Sequence, residues 1–387
     1  MSKKYLIRTF GCQQNVADSE RIATSYEARG FVPTEVVAEA DVIVINTCMV
    51  RDQAEEKVYG FVRNIRAGEG KLDAEIVVTG CLVGAVSREP SGKMTRKIAS
   101  RLPDVTLLPI DEVGFENRPK RTSGKRASIV IGNGCGNFCS YCIVPFSRGK
   151  EVSRPFGDIV KEVREAVENG RDEIVLLGQN VNSYGADFLV DSIREGESYR
   201  LPDGREVVPV MVRHLGKNRI PTVFPYLLEV IATLPGVSKV SFLSSNPWDF
   251  SDELIAVIAR NATIDRMLHL PVQAGSDRIL AAMNRQYTRD EYLLLVEKIR
   301  SAVPDVFFTT DIIVGFPGET AADFADTLDI AKRVRFHKAY VARYSPRPGT
   351  ASAKLLDDVP CEEKVRRFRE LDRLVLTLAG REHLLEK

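Results

Sequence analysis

The chain has almost no excess of charge, with 54 lysines and arginines against 53 acidic residues in 387. No global field therefore marks it as a partner of nucleic acid or of a membrane surface, and any nucleic-acid surface has to be local. It has no apolar run approaching the roughly 20 residues that a membrane span requires. Its opening, MSKKYLIRTFGC, enters a strand-like segment without a signal-peptide core. These absences predict a cytoplasmic protein that makes no use of a membrane. Cysteines are sparse and odd in number, seven in all, which excludes a disulfide framework and leaves metal or redox chemistry. The length excludes a small stapled scaffold and allows two or three domains with ample core.

What is present is an α/β alternation in two series. Strand-like runs at Tyr5 to Phe10, Val42 to Asn46, Ile76 to Thr79 and Val105 to Ile110 alternate with helical stretches at Ser19 to Arg29 and Arg51 to Arg66. This predicts a parallel-sheet, flavodoxin-like domain over residues 1–117. The stretch ENRPKRTSGKR has five basic side chains and no apolar face, so residues 118–127 are expected to be a linker. Six further runs follow: SIVIGNG, EIVLLGQN, KVSFLSS, MLHLPVQ, FFTTDIIVGF and KAYVARYS, with amphipathic helices such as Ile159 to Asn169 and Tyr292 to Ala302 between them. They suit an open (β/α)6 barrel over residues 128–356, with chemistry at the carboxyl ends of its strands. A polar stretch between Tyr184 and Phe224 that contains LPDGREVVPV is expected to be a small inserted hairpin. Residues 357–387 have helical periodicity and are expected to pack along the barrel.

In GCGNFCSYCIVP, Cys135, Cys139 and Cys142 lie within eight residues, directly after a β-type run and among glycines. Three thiolates so close can converge on one inorganic centre. A structural zinc site would need a fourth Cys or His, and the nearest histidine in sequence is His214. The spacing resembles the signature of the radical S-adenosylmethionine (SAM) superfamily, where three thiolates on a 4Fe-4S cluster leave one iron free to bind SAM. Other strand ends would have to hold that SAM: Gln179 and Asn180 after EIVLLG, Gln273 and Ser276 in LPVQAGSD, and Gly315 to Glu319 in VGFPGET. A second set of cysteines is dispersed. Cys12 ends YLIRTFGC, Cys48 ends VIVINTC and Cys81 ends EIVVTGC. Parallel strands put their carboxyl ends on one edge, so these three thiols are expected to meet. Cys361, before a charged helix, reads as structural.

With GCQQNVADSE, NTCMVRDQAEEKV, TGC and GCGNFCSYCIVPFSRGKEVSRP all present, the chain closely resembles the methylthiotransferase family of radical SAM enzymes over nearly its whole length. LLGQNVNSYG, AEEKV and RGKEVSRP resemble the tRNA-acting branch. The resemblance implies two [4Fe-4S] clusters, an auxiliary one on Cys12, Cys48 and Cys81 that supplies sulfur and a barrel one on Cys135, Cys139 and Cys142 that cleaves S-adenosyl-L-methionine. It implies addition of a methylthio group, at the expense of two SAM molecules, to carbon 2 of an N6-isopentenylated adenosine next to the tRNA anticodon. An electron donor such as flavodoxin or ferredoxin is implied as a partner, and the protein is expected to be a monomer. Sister branches act on threonylcarbamoyl-adenosine in tRNA or on an aspartate of a ribosomal protein; a non-catalytic electron-transfer or zinc protein is the reading from a different class. Three departures stand out. The family's carboxyl-terminal RNA-gripping TRAM domain is expected to be absent, its Ser-His-Pro element stands here as Ser245, Asn246 and Pro247, and the insertion after Tyr184 is long.

Basic side chains at Arg118, Lys120, Arg121, Lys125 and Arg126, and at Arg148, Lys150 and Arg154, are candidates to meet RNA phosphates, with Phe146 as a base-stacking candidate.

Overall fold

The computed structural model describes residues 2–49, 52–71, 73–109, 115, 117–121, 124–214 and 218–380. Arg51, Ile110, residue 116 just before the expected linker, residues 122 and 123 within it, residues 215–217 of the insertion and 381–387 of the last segment lie outside the described residues.

The amino-terminal domain is a five-stranded parallel sheet. Its strands are β1 (Lys4–Phe10), β2 (Val32–Pro33), β3 (Val42–Thr47), β4 (Glu75–Gly80) and β5 (Thr106–Leu108), in the order β2-β1-β3-β4-β5. That is the flavodoxin-like order, in which the chain winds outward from β1 in both directions. β3 is buried along its whole length, as a central parallel strand covered on both faces must be, which is why VIVINT carries no alternation of polar residues. Helices α1 (Gln13–Ala28), α2 (Asp52–Asn64), α3 (Cys81–Arg88) and α4 (Lys93–Arg101) connect the strands. Leu6, Ile43, Ile45, Ile76 and Val78 form the core beneath α2 and α3.

The second domain begins with β6 (Arg126–Val130), whose first two residues, Arg126 and Ala127, lie inside the stretch read as linker. A short pair, β7 (Gly132–Asn133) and β8 (Val152–Ser153), closes antiparallel around the cysteine loop and helix α5 (Val144–Ser147). Then come α6 (Phe156–Glu168), β9 (Glu173–Leu177) and α7 (Ala186–Leu189). The insertion is two hairpins rather than the single one expected: β10 (Tyr199–Arg200) with β11 (Glu206–Val207), and β12 (Val210–His214) with β13 (Asn218–Thr222). The barrel resumes with α8 (Phe224–Ala232), β14 (Lys239–Phe242), α9 (Asp252–Arg260), β15 (Met267–His269), α10 (Asp277–Ala282) and α11 (Arg289–Ala302). It ends with β16 (Phe307–Val314), α12 (Ala321–Val334) and β17 (Lys338–Arg343), after which α13 (Cys361–Leu378) packs on β17 and α12.

All six barrel strands run parallel in chain order. β6, β9 and β14 pair in register, β15, β16 and β17 pair in register, and the single bridge Val240 to Ile264 joins the two halves. One hydrophobic core fills the barrel from Ala127 to Val375. α13 is latched to it by a buried ion pair, Arg367 to Glu319 at 2.8 Å. Among the described residues, no helix is long and apolar enough to cross a membrane.

Candidate functional site

β1, β3 and β4 are neighbours in the sheet, with Phe10 opposite Thr47 and Thr47 opposite Gly80. Their chain ends deliver Cys12, Cys48 and Cys81 to one edge, so three cysteines 36 and 33 positions apart in sequence become neighbours. Cys48 shares hydrogen bonds with both of the others. Those bonds hold Cys12 down to about 6 and Cys81 down to about 5, with the guanidinium of Arg148 adding to both effects, while Cys48 itself is pushed far up. The geometry behind the thiols is rigid. Asn15 accepts from the Cys12 backbone N–H at 3.2 Å and donates to Asn46 Oδ1 at 3.0 Å, and Asn46 donates back to the Asn15 carbonyl at 2.8 Å. Gly80 has φ +91° and lies so close to this pair that a Cβ would stand 2.4 Å from Asn46 Oδ1. The glycine of TGC is required there by both conformation and space.

The second trio lies on the loop between β7 and α5. Gly134 (φ +82°) is pressed against the Lys150 carbonyl, where a Cβ would come within 2.0 Å, and its N–H donates to Gln179 Oε1 at 2.5 Å. Further along, Ser140 bonds through its N–H to Met283 and through its hydroxyl to Ala282, and Asn284 donates to the Phe138 carbonyl at 2.9 Å. The end of α10 therefore pins the loop. Cys135, Cys139 and Cys142 remain partly accessible. Burial pushes Cys135 well up and Cys142 up to about 12; Cys135 also feels the thiols of Cys142 and Cys139, and Cys142 those of Cys139 and Cys81. Arg285 donates to Cys139 Sγ at 3.6 Å; it is buried, held over the Trp248 ring at 4.4 Å and bonded to Asn246 Oδ1 at 3.2 Å. Among the described residues, no three or more His, Cys, Asp or Glu side chains stand as a group that could hold a single metal ion. Each trio offers thiols alone, the donor set of an iron–sulfur cluster.

Residues 129–331 match the radical SAM superfamily, and residues 4–98 match the uncharacterized protein family UPF0004. The tRNA-2-methylthio-N(6)-dimethylallyladenosine synthase of Thermotoga petrophila is 42% identical over 386 residues, 95% of this chain and 80% of that protein. The protein of the same name from Cereibacter sphaeroides is 39% identical, covering 96% of this chain and 83% of the relative. The chain belongs to the radical SAM methylthiotransferase family. Solved structures are similar in fold at much lower identity. The radical S-adenosylmethionine methyltransferase TsrM from Kitasatospora setae superposes with a TM-score of 0.59 at 14% identity, over 91% of this chain and 77% of that one. The cobalamin-dependent S-adenosylmethionine radical enzyme OxsB gives 0.52 at 10% identity, over 97% of this chain and 56% of that one.

Of the residues expected to reach SAM in this methylthiotransferase, Gln179 and Asn180 stand beside the cysteine loop at the end of β9. Asn180 donates to Asp249 at 3.1 Å, and burial pushes the Asp249 carboxyl well up. Around them Asn180 Oδ1, Asn182 Nδ2, Ser245 Oγ and Asp249 Oδ1 are buried without a protein partner, an unusual density of open hydrogen-bonding groups in one core. Gln273 ends the parallel pairing with β16 in a left-handed conformation, φ +68°. Ser276, Gly315 and Glu319 are placed differently from the expectation. The Ser276 hydroxyl donates to Asp323 at 2.6 Å, and Glu319 accepts from the Gly315 N–H at 2.7 Å while paired with Arg367. Their polar groups are satisfied within the fold, tying α10 to α12 and β16 to α13.

The expected phosphate contacts need a similar correction. Arg121, Arg148 and Arg154 are not surface residues; they are spent on Glu162, Asp18 and again Glu162. Arg118, Lys120 and Arg126 are exposed but face Glu165, Glu27 and Glu173. Arg148 was read as a phosphate contact rather than as a thiol partner, and Arg285 and Asp249 were missed; of the three only Arg148 carries a local signal, lying six positions beyond Cys142.

Proposed function

We propose that this protein adds a methylthio group to carbon 2 of N6-isopentenyladenosine beside the anticodon of tRNA, with one [4Fe-4S] cluster on each cysteine trio and SAM as the source of both methyl group and radical. The observation that carries the reading is the meeting of the two trios across a tight contact. α3, which starts with Cys81, packs on α5, which follows Cys142, so closely that Gly84 has no room for a Cβ against the Ser147 carbonyl.

When bound, the clusters and SAM supply the sulfur and a radical able to break an unactivated aromatic C–H bond, which acid–base chemistry at neutral pH does not touch. This chain's residues supply placement and dryness. Cys12, Cys48 and Cys81 would hold the auxiliary cluster, and Cys135, Cys139 and Cys142 the barrel cluster. Gln179, Asn180 and Gln273 would orient SAM on the barrel cluster, with the open groups of Asn182, Ser245 and Asp249 left for the adenosine. At the loop rim Phe138 and Phe146 are exposed, their rings edge to face at 6.3 Å, a surface on which a base splayed from an unpaired loop would stack. A small electron donor such as flavodoxin or ferredoxin would deliver the electron.

The test is mass spectrometry of nucleosides from isopentenylated tRNA after anaerobic incubation with reconstituted protein, SAM and a strong reductant. A methylthio adduct on isopentenyladenosine is the expected result. 5′-Deoxyadenosine formed without any adduct would refute the acceptor and send the search to threonylcarbamoyl-adenosine or a protein aspartate.

A further inference from the structure

Arg148 lies six residues beyond Cys142, just past α5 in the radical SAM domain, yet its guanidinium ends in the other domain. It is 3% exposed. Its Nε donates to Cys81 Sγ at 3.3 Å, its Nη2 to Asp18 Oδ2 at 2.7 Å and its Nη1 to Asn133 Oδ1 at 3.0 Å. Cys81 opens α3, Asp18 lies on α1 just beyond Cys12, and Asn133 is on β7 at the base of the barrel's cysteine loop. One planar group thus binds a thiol of one trio, a carboxylate beside it and the root of the loop that holds the other. The backbone leading to it is clamped as well: Arg88 on α3 donates to the Ser147 carbonyl at 2.9 Å.

We propose that Arg148 is a positioning residue that raises the reduction potential of the cluster on Cys12, Cys48 and Cys81, so that the auxiliary cluster acquires its working potential only when the barrel's cysteine loop is docked. The inference rests on the two-cluster reading above. Its physical basis is that an N–H donated to a cluster-bound sulfur withdraws negative charge, and a buried cation nearby favours the more negative, reduced state. Asp18 partly offsets that cation and fixes the fork in place. The barrel trio has an arginine too, but Arg285 comes from its own domain and is held there by Asn246, the Pro271 carbonyl and Tyr287. Among the described residues, the auxiliary trio is the one that draws its guanidinium from across the interface.

The test uses the full chain with Cys135→Ala, Cys139→Ala and Cys142→Ala, so that a single cluster remains, followed by potentiometric titration with electron paramagnetic resonance. Arg148→Met is expected to lower the reduced-to-oxidised ratio at a fixed potential at least tenfold, a midpoint drop of about 59 mV for one electron. Asp18→Asn, which leaves the cation uncompensated, is expected to shift the midpoint upward. Arg148→Lys keeps a charge without the fork and should fall between wild type and Arg148→Met. A midpoint unmoved in Arg148→Lys and Asp18→Asn, at unchanged iron content and melting temperature, would overturn the proposal even where Arg148→Met fails to fold. No cluster signal at all in the three-cysteine background would refute the two-cluster reading and this inference with it.

Discussion

Cys48 stands between Cys12 and Cys81 and shares hydrogen bonds with both, so it is the thiol through which the amino-terminal trio is connected. Cys139 holds the equivalent interest in the barrel because Arg285 reaches it. Removing one ligand from either set separates the two roles. Cys139→Ala is expected to abolish formation of 5′-deoxyadenosine from SAM. Cys48→Ala is expected to keep that cleavage and lose methylthiolation, both read by chromatography of the products; loss of cleavage in Cys48→Ala with the barrel cluster intact would contradict the division. The cysteines were legible in the sequence because Cys12, Cys48 and Cys81 each follow a glycine or a threonine at a strand end and Cys135, Cys139 and Cys142 lie within eight residues. The arginines were not. Arg148 and Arg154 read as a basic surface because their carboxylate partners cannot be inferred locally: Asp18 lies 130 positions from Arg148, and an arginine buried in ion pairs has the same local sequence as one in water.

At the level of elements, the contact between α3 and α5 decides whether the two cysteine sets face each other. Glycine inside a helix normally costs about 1 kcal/mol relative to alanine, so Gly84→Ala would stabilise α3 in isolation. Here the added Cβ would lie 1.9 Å from the Ser147 carbonyl oxygen, a backbone atom that cannot step aside, and overpacking of that kind typically costs about 1–3 kcal/mol. The clash wins. Gly84→Ala is expected to lower the thermal midpoint of the apoprotein and to reduce methylthiolation more than SAM cleavage; a midpoint at or above wild type would show that α5 can yield. The strand series in both domains was legible because runs such as VIVINT and EIVLL have strand length and β-branched composition. Ser276 and Glu319 were read as ligand contacts, and the bonds they make to helices were not legible, because a polar residue after a strand looks the same whether it faces a site or a neighbouring helix. Only the position of Asp323 on α12 and Arg367 on α13 showed that these two face helices.

Across the whole molecule, Glu162 on α6 gathers arginines from every part of the domain junction. Arg21 comes from α1, Arg121 from the connecting segment and Arg154 from just after β8. Burial opposes the charge on Glu162, but Arg154, Arg21 and Arg121 together hold its carboxyl below the ordinary 4.5. A carboxyl held low when folded contributes stability above its unfolded value and loses it as pH falls through the folded one. Glu162→Gln leaves buried cations uncompensated and is expected to cost about 3–5 kcal/mol at neutral pH. The gap from wild type in denaturant unfolding should narrow as pH is taken from about 6 to below about 4. A gap independent of pH would mean that Glu162 contributes through packing rather than charge.

The sequence by itself determined the composition of both thiol sets, the parallel strands that end in three of those thiols, and the series of six strands that makes the barrel, because these follow from spacing and periodicity along a single chain. The tertiary structure alone decided that Arg148 and Arg154 turn inward after the cysteine loop, that Arg148 crosses to the other domain's thiol, and that Glu162 ties the junction. These depend on charges brought together from distant positions, and a buried ion pair is selected by the balance of desolvation against partners that no local stretch of sequence contains.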